Sequence, residues 1–515
     1  MTINKFLLII ITFHFQPATI KTMKNLRTKY FTTTLELINS LTKDQTFTFD
    51  APGHHLNGCA IELKKTDGQF SFETISQIQK GLQNHKEIQF DRDTDFKLTN
   101  KNRTLYLKGK DYFINKIKYL EHDSKLSNGS INALSSQSEV VNSKTNYMRC
   151  VIPVGKENKM DLKHFQKTMF NTDKGTSFLF TCDVNGHNFD LINYKRQELN
   201  YFVIDCLDPI DKKAFQKKCY NIILTVGLLR GDLIFNENFL LTYSDNTFNK
   251  PDSIEYISMR SSVISNQPLI TTNPYSIRPL DEDFERDENG RISEAQKNKL
   301  YEGIMDFTGE AFSKLATLFC EHEKLQRATL LFILGHVATL EIRIPNYYVA
   351  LEAITSYLAK TVDEKPKRLN PIKDKKLAND LVNEIKELIK KKKDDNGLPD
   401  DEMNTEILFK NINRLNSPPN ADKLAKSFEI IKYPLTKEQF KIIKDRNSYL
   451  HGSFIKTSSE DDRFRDALHL SLRLHFLIGV LLLKNVGYNG KIINYAKLWS
   501  HITQKDIEEE VLVFI

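Results

Sequence analysis

The sequence predicts an α+β protein in which a β-rich amino-terminal region precedes an all-α carboxyl-terminal region. Short alternating apolar runs, separated by turn residues, fill the chain between residues 47 and 120 and are typical of strands. In residues 293–486, by contrast, apolar side chains recur at helical spacing and no run favours a strand. A chain of 515 residues is also too long for one compact core, so we expect several domains.

Changes in composition along the chain suggest five segments. The apolar run at the start is too short to span a bilayer, which takes about 20 residues, and Met23 begins a soluble-looking sequence. Residues 123–146 are rich in Ser and Asn, which favours a linker or loop. The predicted segments are 1–30, dispensable or misassigned; 31–122, a β-rich domain; 123–146, the linker or loop; 147–285, a mixed α/β domain and candidate sensor; and 293–515, a helical domain.

Charge and cysteine content narrow the class of protein. The net charge of +7 is mildly basic, which permits an anionic partner without requiring one. The six cysteines are scattered and form no C-x-x-C pair, so we expect reduced thiols in a cytoplasmic protein without a metal site and without a membrane partner. An exported β-rich binding protein is a distant alternative, which the first thirteen residues favour and the cysteine pattern opposes.

One helix is predicted inside the mixed segment. Phe215, Cys219, Ile222 and Val226 recur at helical spacing, and Gly227 and Gly231 are expected to close such a helix. The sequence contains neither a Walker loop nor a G-x-G-x-x-G run, which argues against a nucleotide-driven motor.

The segment 437–451 carries the candidate chemistry. Pro434 prevents a helix before it, and Thr436 with Gln439 forms a capping box in which each side chain satisfies a backbone N–H. Gly452 is suited to a left-handed C-cap. These signals predict a single helix over 437–451.

Three polar residues at the end of this predicted helix suit metal-independent cleavage of RNA. Such cleavage needs a base, an acid for the leaving oxygen and a cation for the phosphate charge. His451 can exchange protons near neutral pH, and Arg446 can hold two phosphate oxygens without losing its charge. Asn447 can orient the histidine or bind an oxygen. The sequence shows no cluster of metal ligands, so we expect no metal or other cofactor.

The six residues from Arg446 to His451 resemble the R-x4-6-H motif of HEPN-superfamily ribonucleases, including the Asn that often follows the Arg. A helix that contains Glu352 is similar to an early family helix that carries a Glu, and the apolar helix 468–483 looks like the closing helix. The pattern is similar to the Apea-like branch of bacterial anti-phage proteins. The resemblance covers the helical domain only, so the HEPN-like bundle is expected there.

The resemblance implies a homodimer, because the family's cleft lies between two HEPN domains that each donate a motif. It also implies that Glu352 faces the motif helix, and we expect its carboxylate to bind Arg446. Pro345 is expected to separate a helix at 324–343 from the Glu352 helix at 346–362. The apolar helix 468–483 is expected to expose a surface for the partner.

Two functions remain open from the sequence. The first is a metal-independent endoribonuclease that cuts RNA through its 2′-hydroxyl and whose amino-terminal domains respond to a phage-derived trigger. The second is a non-catalytic HEPN module that binds RNA or a nucleotide, or only dimerises.

Arg463 and His469 also match the loose motif spacing, but Phe464 stands where the Asn is expected. The alternative without catalysis is that Arg446 is a surface residue and that His451 only stabilises the end of its helix through the helix dipole.

Overall fold

The computed structural model describes residues 28–52, 56–66, 68–77, 95–108, 111–120, 124–137, 145–155, 165, 168–172, 175–196, 199–231, 233–234, 237–258, 269–270, 293–361, 370–417, 419–450 and 459–515. The strands are β1 Gln45–Asp50, β2 Ala60–Thr66, β3 Gln69–Gln77, β4 Asp95–Thr99, β5 Thr104–Lys108, β6 Tyr112–Leu120, β7 Ser124–Ile131, β8 Ala133–Ser135, β9 Asn146–Gly155, β10 Thr168–Thr172, β11 Gly175–Val184, β12 His187–Arg196, β13 Leu199–Ile210, β14 Glu237–Tyr243, β15 Ser253–Ser258, β16 Lys491–Ile493 and β17 Leu512–Phe514. The helices are α1 Thr28–Thr42, α2 Lys212–Arg230, α3 Glu294–Tyr301, α4 Gly309–Glu321, α5 Glu323–Gly335, α6 Leu340–Thr361, α7 Lys375–Asp395, α8 Thr405–Ile412, α9 Asn420–Ile430, α10 Lys437–Lys444, α11 Arg446–Leu450, α12 Glu460–Asn485, α13 Tyr495–Leu498 and α14 Ser500–Thr503.

Fifteen of the described strands form one sheet in the order β10-β11-β12-β13-β9-β14-β15-β8-β5-β4-β1-β2-β3-β7-β6. Successive side chains of a strand point to opposite faces, and β9 shows the result. Cys150 and Ile152 belong to the apolar core that also contains the carboxyl-terminal helices, whereas Val151 belongs to a second core with α1. The sheet therefore has a covered face on each side, and the predicted order of strands first and helices afterwards is confirmed.

A fully buried ion pair lies at the second core. Arg149 on β9 donates from Nε to Asp205 Oδ1 at 2.7 Å and from Nη2 to Oδ2 at 2.9 Å. Its Nη1 donates to Thr34 Oγ1 of α1 at 3.0 Å, and the guanidinium carbon lies 4.5 Å from the centroid of the Phe31 ring. Because a buried charge requires a partner and hydrogen bonds, this contact joins α1 to the centre of the sheet.

The Ser/Asn-rich segment 123–146 differs from its prediction as a linker or loop. It contributes β7 and β8, and β7 pairs along its whole length with β3 and also pairs with β6. Ser127 and Ser130 are buried there. The backbone of β7 is hydrogen-bonded to a strand on each side. These hydrogen bonds do not depend on the hydropathy of the side chains, so a segment rich in Ser and Asn can still form a strand there.

The helix predicted in the mixed segment is confirmed as α2, although Gly227, which was expected to help close it, lies inside it. Asp211 caps its start by accepting from Ala214 N, and Gly231 ends it in the left-handed conformation with φ 72°. Gly is suited to that position because it has no Cβ to clash. Helix α2 packs between the sheet and the carboxyl-terminal helices α4 and α5.

The carboxyl-terminal region is largely helical: its described residues from 293 to 486 form helices joined by turns, with one isolated bridge at Phe307. The prediction of an all-α region is wrong beyond residue 486, where β16 and β17 pair. The apolar core of the region is continuous with that of β9–β13. Rings of Phe180 on β11 and Phe312 on α4 meet edge to face at 5.1 Å between centroids. The helices and the sheet are therefore joined through shared core side chains.

Pro345 does not separate two helices, contrary to the prediction. It lies inside α6, and the chain instead breaks between α5 and α6, where Arg343 donates to the carbonyl oxygens of Gly335 at 3.0 Å and His336 at 2.8 Å. The neighbouring Tyr348 is fully buried. Burial of such side chains outweighs the one backbone hydrogen bond that a proline removes.

Helix α12 does not expose the apolar surface that was expected at 468–483, because all of these residues are buried within the chain. It packs mainly against α6. Among the described residues, one helix, Asp461–Asn485, is long and apolar enough to cross a bilayer, and 83% of its apolar window is buried inside the protein. The prediction of a partner surface on this helix was wrong, because the intramolecular core uses it.

Candidate functional site

The motif segment forms two short helices rather than the single helix predicted over 437–451. Helix α10 begins with the predicted capping box, in which Thr436 Oγ1 accepts from Gln439 N at 3.2 Å and Gln439 Oε1 accepts from Thr436 N at 3.1 Å. It ends at Asp445, and α11 starts at Arg446. The motif arginine is therefore the first residue of a new helix.

Arg446 and Glu352 form an ion pair between α11 and α6. The Arg446 side chain retains 15% of its exposure and the Glu352 side chain 35%. The contact that was expected between these residues is thus present. A mostly buried guanidinium that is paired with a carboxylate is held in one orientation by that carboxylate.

Two tyrosines fix α11 and the end of α10 against α6. The rings of Tyr348 and Tyr449 stack with centroids 5.8 Å apart and an interplanar angle of 18°. Tyr348 Oη donates to the carbonyl oxygen of Ile442 at 2.9 Å. Burial, followed by the charges of Tyr449 and Asp445, raises the pKa of Tyr348 well above its ordinary value. The hydroxyl therefore stays protonated and keeps this hydrogen bond.

The other two predicted site residues are described incompletely. Asn447 lies in α11, but its side chain is outside the described residues. His451 follows Leu450 and lies wholly outside them. The structure accordingly brings together Arg446 and Glu352, and it leaves the positions of the imidazole and of the Asn447 amide as predictions.

A buried polar network behind the motif was missed by the sequence analysis. Arg473, with 1% of its side chain exposed, pairs with both Glu438 of α10 and Glu509 near the carboxyl terminus. His469 Nε2 lies 2.8 Å from Glu438 Oε1, and Asn494 Nδ2 donates to Glu509 Oε2 at 2.8 Å. The available signal was an arginine within the apolar run of α12, since a charge there requires buried partners.

This network also explains the second motif match. Arg463 is exposed on α12, whereas His469 is largely buried with its ring against Glu438. Burial lowers the pKa of His469, although the hydrogen bond to Glu438 opposes that change. Burial would raise the pKa of Glu438, but the hydrogen bonds with His469 and Arg473 outweigh it and lower that pKa. The burial of the His469 ring and its contact with Glu438 favour a structural role for this residue.

A second missed cluster surrounds two buried histidines in the core. His475 on α12 is 1% exposed, and its ring lies 4.8 Å from that of His336 between centroids. Tyr347 Oη lies 2.8 Å from His336 Nδ1. Neither ring nitrogen of His475 has a hydrogen-bond partner among the described residues. Burial, followed by the charge of Arg343, lowers the pKa of His475 to about 3.

The comparisons with known proteins identified no relative of this chain. No family model, no curated protein and no solved structure matched the chain. The resemblance to HEPN ribonucleases consequently stays a prediction from the sequence.

Proposed function

We propose that the chain is a metal-independent endoribonuclease whose helical region is a HEPN-type domain. The observation that carries the proposal is the ion pair of Arg446 with Glu352. This ion pair holds the permanently charged guanidinium of Arg446 in place, at the start of the short helix that precedes His451 in the chain. In the sequence, this cation stands five residues before His451, and histidine is the side-chain type suited to proton transfer near neutral pH.

In the proposed reaction, the 2′-hydroxyl of the RNA attacks the adjacent phosphorus and the 5′-oxygen leaves. His451 takes part in the proton transfers, and Arg446 stabilises the charge that accumulates on the phosphate oxygens. Asn447 orients the imidazole or binds one of these oxygens. The products carry a 2′,3′-cyclic phosphate and a 5′-hydroxyl. The test is whether the purified full chain makes such ends from RNA in the presence of EDTA, and whether it needs His451.

The alternative is a non-catalytic HEPN module that binds RNA or a nucleotide, or that only dimerises. The same ion pair is compatible with it, because Glu352 can hold Arg446 in place for binding alone. A binding module needs the arginine but not the imidazole. The alternative therefore predicts that a His451→Ala protein binds RNA like the parent and that the parent cuts nothing.

Glu352→Gln is expected to slow RNA cleavage by up to about 100-fold, because a guanidinium that is no longer held by a charge loses its alignment with the phosphate. Glu352→Asp keeps the charge and should recover part of the rate. Single-turnover cleavage of a labelled RNA measures both variants. Glu310→Gln is the matched control, since Glu310 forms an exposed ion pair with Lys314 on α4. A parental rate in Glu352→Gln would contradict the positioning role.

We further propose a homodimer in which both protomers contribute motifs. The support is that the sequence offers one motif match with a following Asn, whereas the family that it resembles builds its cleft from two such motifs. Sedimentation of the full chain at micromolar concentration is expected to give the mass of two chains. A single-chain mass, unchanged by RNA, would remove this proposal and weaken the catalytic one.

The amino-terminal domains are proposed to restrain the nuclease until a phage-derived trigger binds, in the cytoplasm of a bacterium. Direct contacts between the regions support such coupling. The backbone N–H of Asp183 donates to Ser313 Oγ at 2.9 Å, and that of Asn185 donates to Thr317 Oγ1 at 3.0 Å. The turn between β11 and β12 is thereby attached to α4, so a change in the sheet reaches the helices through hydrogen bonds.

A further inference from the structure

A polar cleft lies on the helical region between the start of α7 and the end of α8. Its volume is about 460 Å³, which lies within the range of small-ligand sites. Its polar lining includes Asn370, Lys373, Lys375, Asn379, Asn413 and Ser417. None of these side chains belongs to the motif around Arg446, so the cleft is a separate feature of the molecule.

The walls of the cleft are held in place by the protein itself. Ile372 N donates to Asn416 Oδ1 at 2.7 Å, and Asn416 Nδ2 donates to the Ile372 carbonyl oxygen at 3.0 Å. This double hydrogen bond fixes the loop before α7 to the segment after α8. Asp374 caps α7 by accepting from Lys376 N at 2.8 Å and Leu377 N at 3.2 Å. Its carboxylate is therefore engaged at the helix start.

The chemistry of the lining matches one nucleotide. Among the described residues that line the cleft none is acidic, and two are lysines, Lys373 and Lys375. Ammonium groups attract phosphate, and asparagine amides offer both a donor and an acceptor to the edge of a base. Ala378 and Val382 supply an apolar floor, on which the face of a base can lie.

We propose that this cleft binds one nucleotide unit of single-stranded RNA, as a substrate-holding subsite apart from the cleaving residues. The inference depends on the proposed function for the identity of its ligand. Lys373 and Lys375 contact the phosphate, and the amides of Asn379 and Asn413 contact the base. The subsite explains how a chain with a net charge of only +7 holds RNA, because it concentrates cations and amides at one place.

The test measures binding without cleavage, in the full-length His451→Ala protein. A fluorescent single-stranded RNA is titrated by anisotropy at several salt concentrations. Replacing Lys373 and Lys375 together by alanine should weaken binding and reduce the slope of log affinity against log salt by about 0.7, as expected when one phosphate of a single strand is no longer neutralised. Lys390→Ala with Lys391→Ala, at the exposed other end of α7, is the control and should change the slope less.

Competition experiments distinguish binding of a whole nucleotide in the cleft from binding of phosphate alone. Uridine monophosphate should compete with the RNA for the parental cleft and inorganic phosphate should compete less, because phosphate has no base for Asn379. The proposal is overturned if the Lys373 and Lys375 changes leave the slope unaltered, or if the control pair reduces it equally. The outcome is independent of catalysis: RNA that binds through the cleft but is never cut by the parent refutes the nuclease and keeps the subsite.

Discussion

Replacing His451 with alanine is expected to reduce the rate of RNA cleavage by about 10²–10⁴-fold, the usual contribution of a general acid–base group. Arg446→Ala should have a comparable effect, because the phosphate then loses the cation that stabilises its charge. His451→Ala should lower the free energy of unfolding by no more than about 1 kcal/mol, since His451 follows a five-residue helix. Arg446→Ala should lower it further, because the partly buried Glu352 carboxylate then loses its ion pair. Initial rates on a labelled RNA and urea unfolding measure the two effects.

The matched control for this prediction is His501→Ala, which removes an exposed histidine of α14. It should cleave at the parental rate. The same comparison in a bacterial host should show toxicity or phage protection with the intact protein and neither with His451→Ala. Near-normal cleavage by His451→Ala would exclude the imidazole as the acid–base group. Inhibition of the parent by EDTA would exclude the metal-independent reaction.

His475→Phe is expected to make the stability of the protein less sensitive to acid. The pKa of His475 is lowered from an ordinary value of 6.5 to about 3 by burial and then by Arg343. Between these pH values the unfolded chain binds a proton at this residue that the folded chain does not bind. The contribution of His475 to the free energy of unfolding is therefore complete above pH 6.5, and it is lost progressively as the pH falls towards 3. The loss approaches about 1.4 kcal/mol per pH unit.

Phenylalanine is a suitable replacement because the site is aromatic. The His475 ring lies 4.9 Å from Phe332 and 5.3 Å from Tyr495 between centroids, and an apolar ring leaves no buried nitrogen without a partner. Urea unfolding from about pH 7.5 to about pH 4.5 should show the variant gaining on the parent as the pH falls. His501→Ala should not gain. Parallel pH profiles for variant and parent would contradict the prediction.

Local signals in the sequence were sufficient for several elements of the protein. The capping box of Thr436 and Gln439 was predicted because its two hydrogen bonds join residues three apart in the chain. Helix α2 was predicted because its apolar spacing and its terminal Gly231 lie in one short stretch. The order of β-rich and helical regions followed from the same kind of pattern. The contact of Glu352 with Arg446 came instead from the resemblance to a family.

The elements that were predicted wrongly depend on packing between parts of the chain that are distant in the sequence. The Ser/Asn-rich β7 became a strand because β3 and β6 lie on either side of it. Pro345 stayed inside α6 because adjacent side chains are buried in the core. Helix α12 lost its expected outer surface because α6 covers it. For β7 and Pro345, contacts with distant parts of the chain outweighed a local preference of about 1–3 kcal/mol.

The sequence by itself therefore determined the order of strands and helices, the cap of α10 and the end of α2, and it identified Arg446, Asn447, His451 and Glu352 as candidates. Only the tertiary structure decided which charges meet. Arg149 pairs with Asp205 across 56 positions, and Arg473 pairs with Glu438 across 35. A buried charge must find a partner, but many carboxylates along a chain can satisfy that need, and the packing of the sheet and helices selects one.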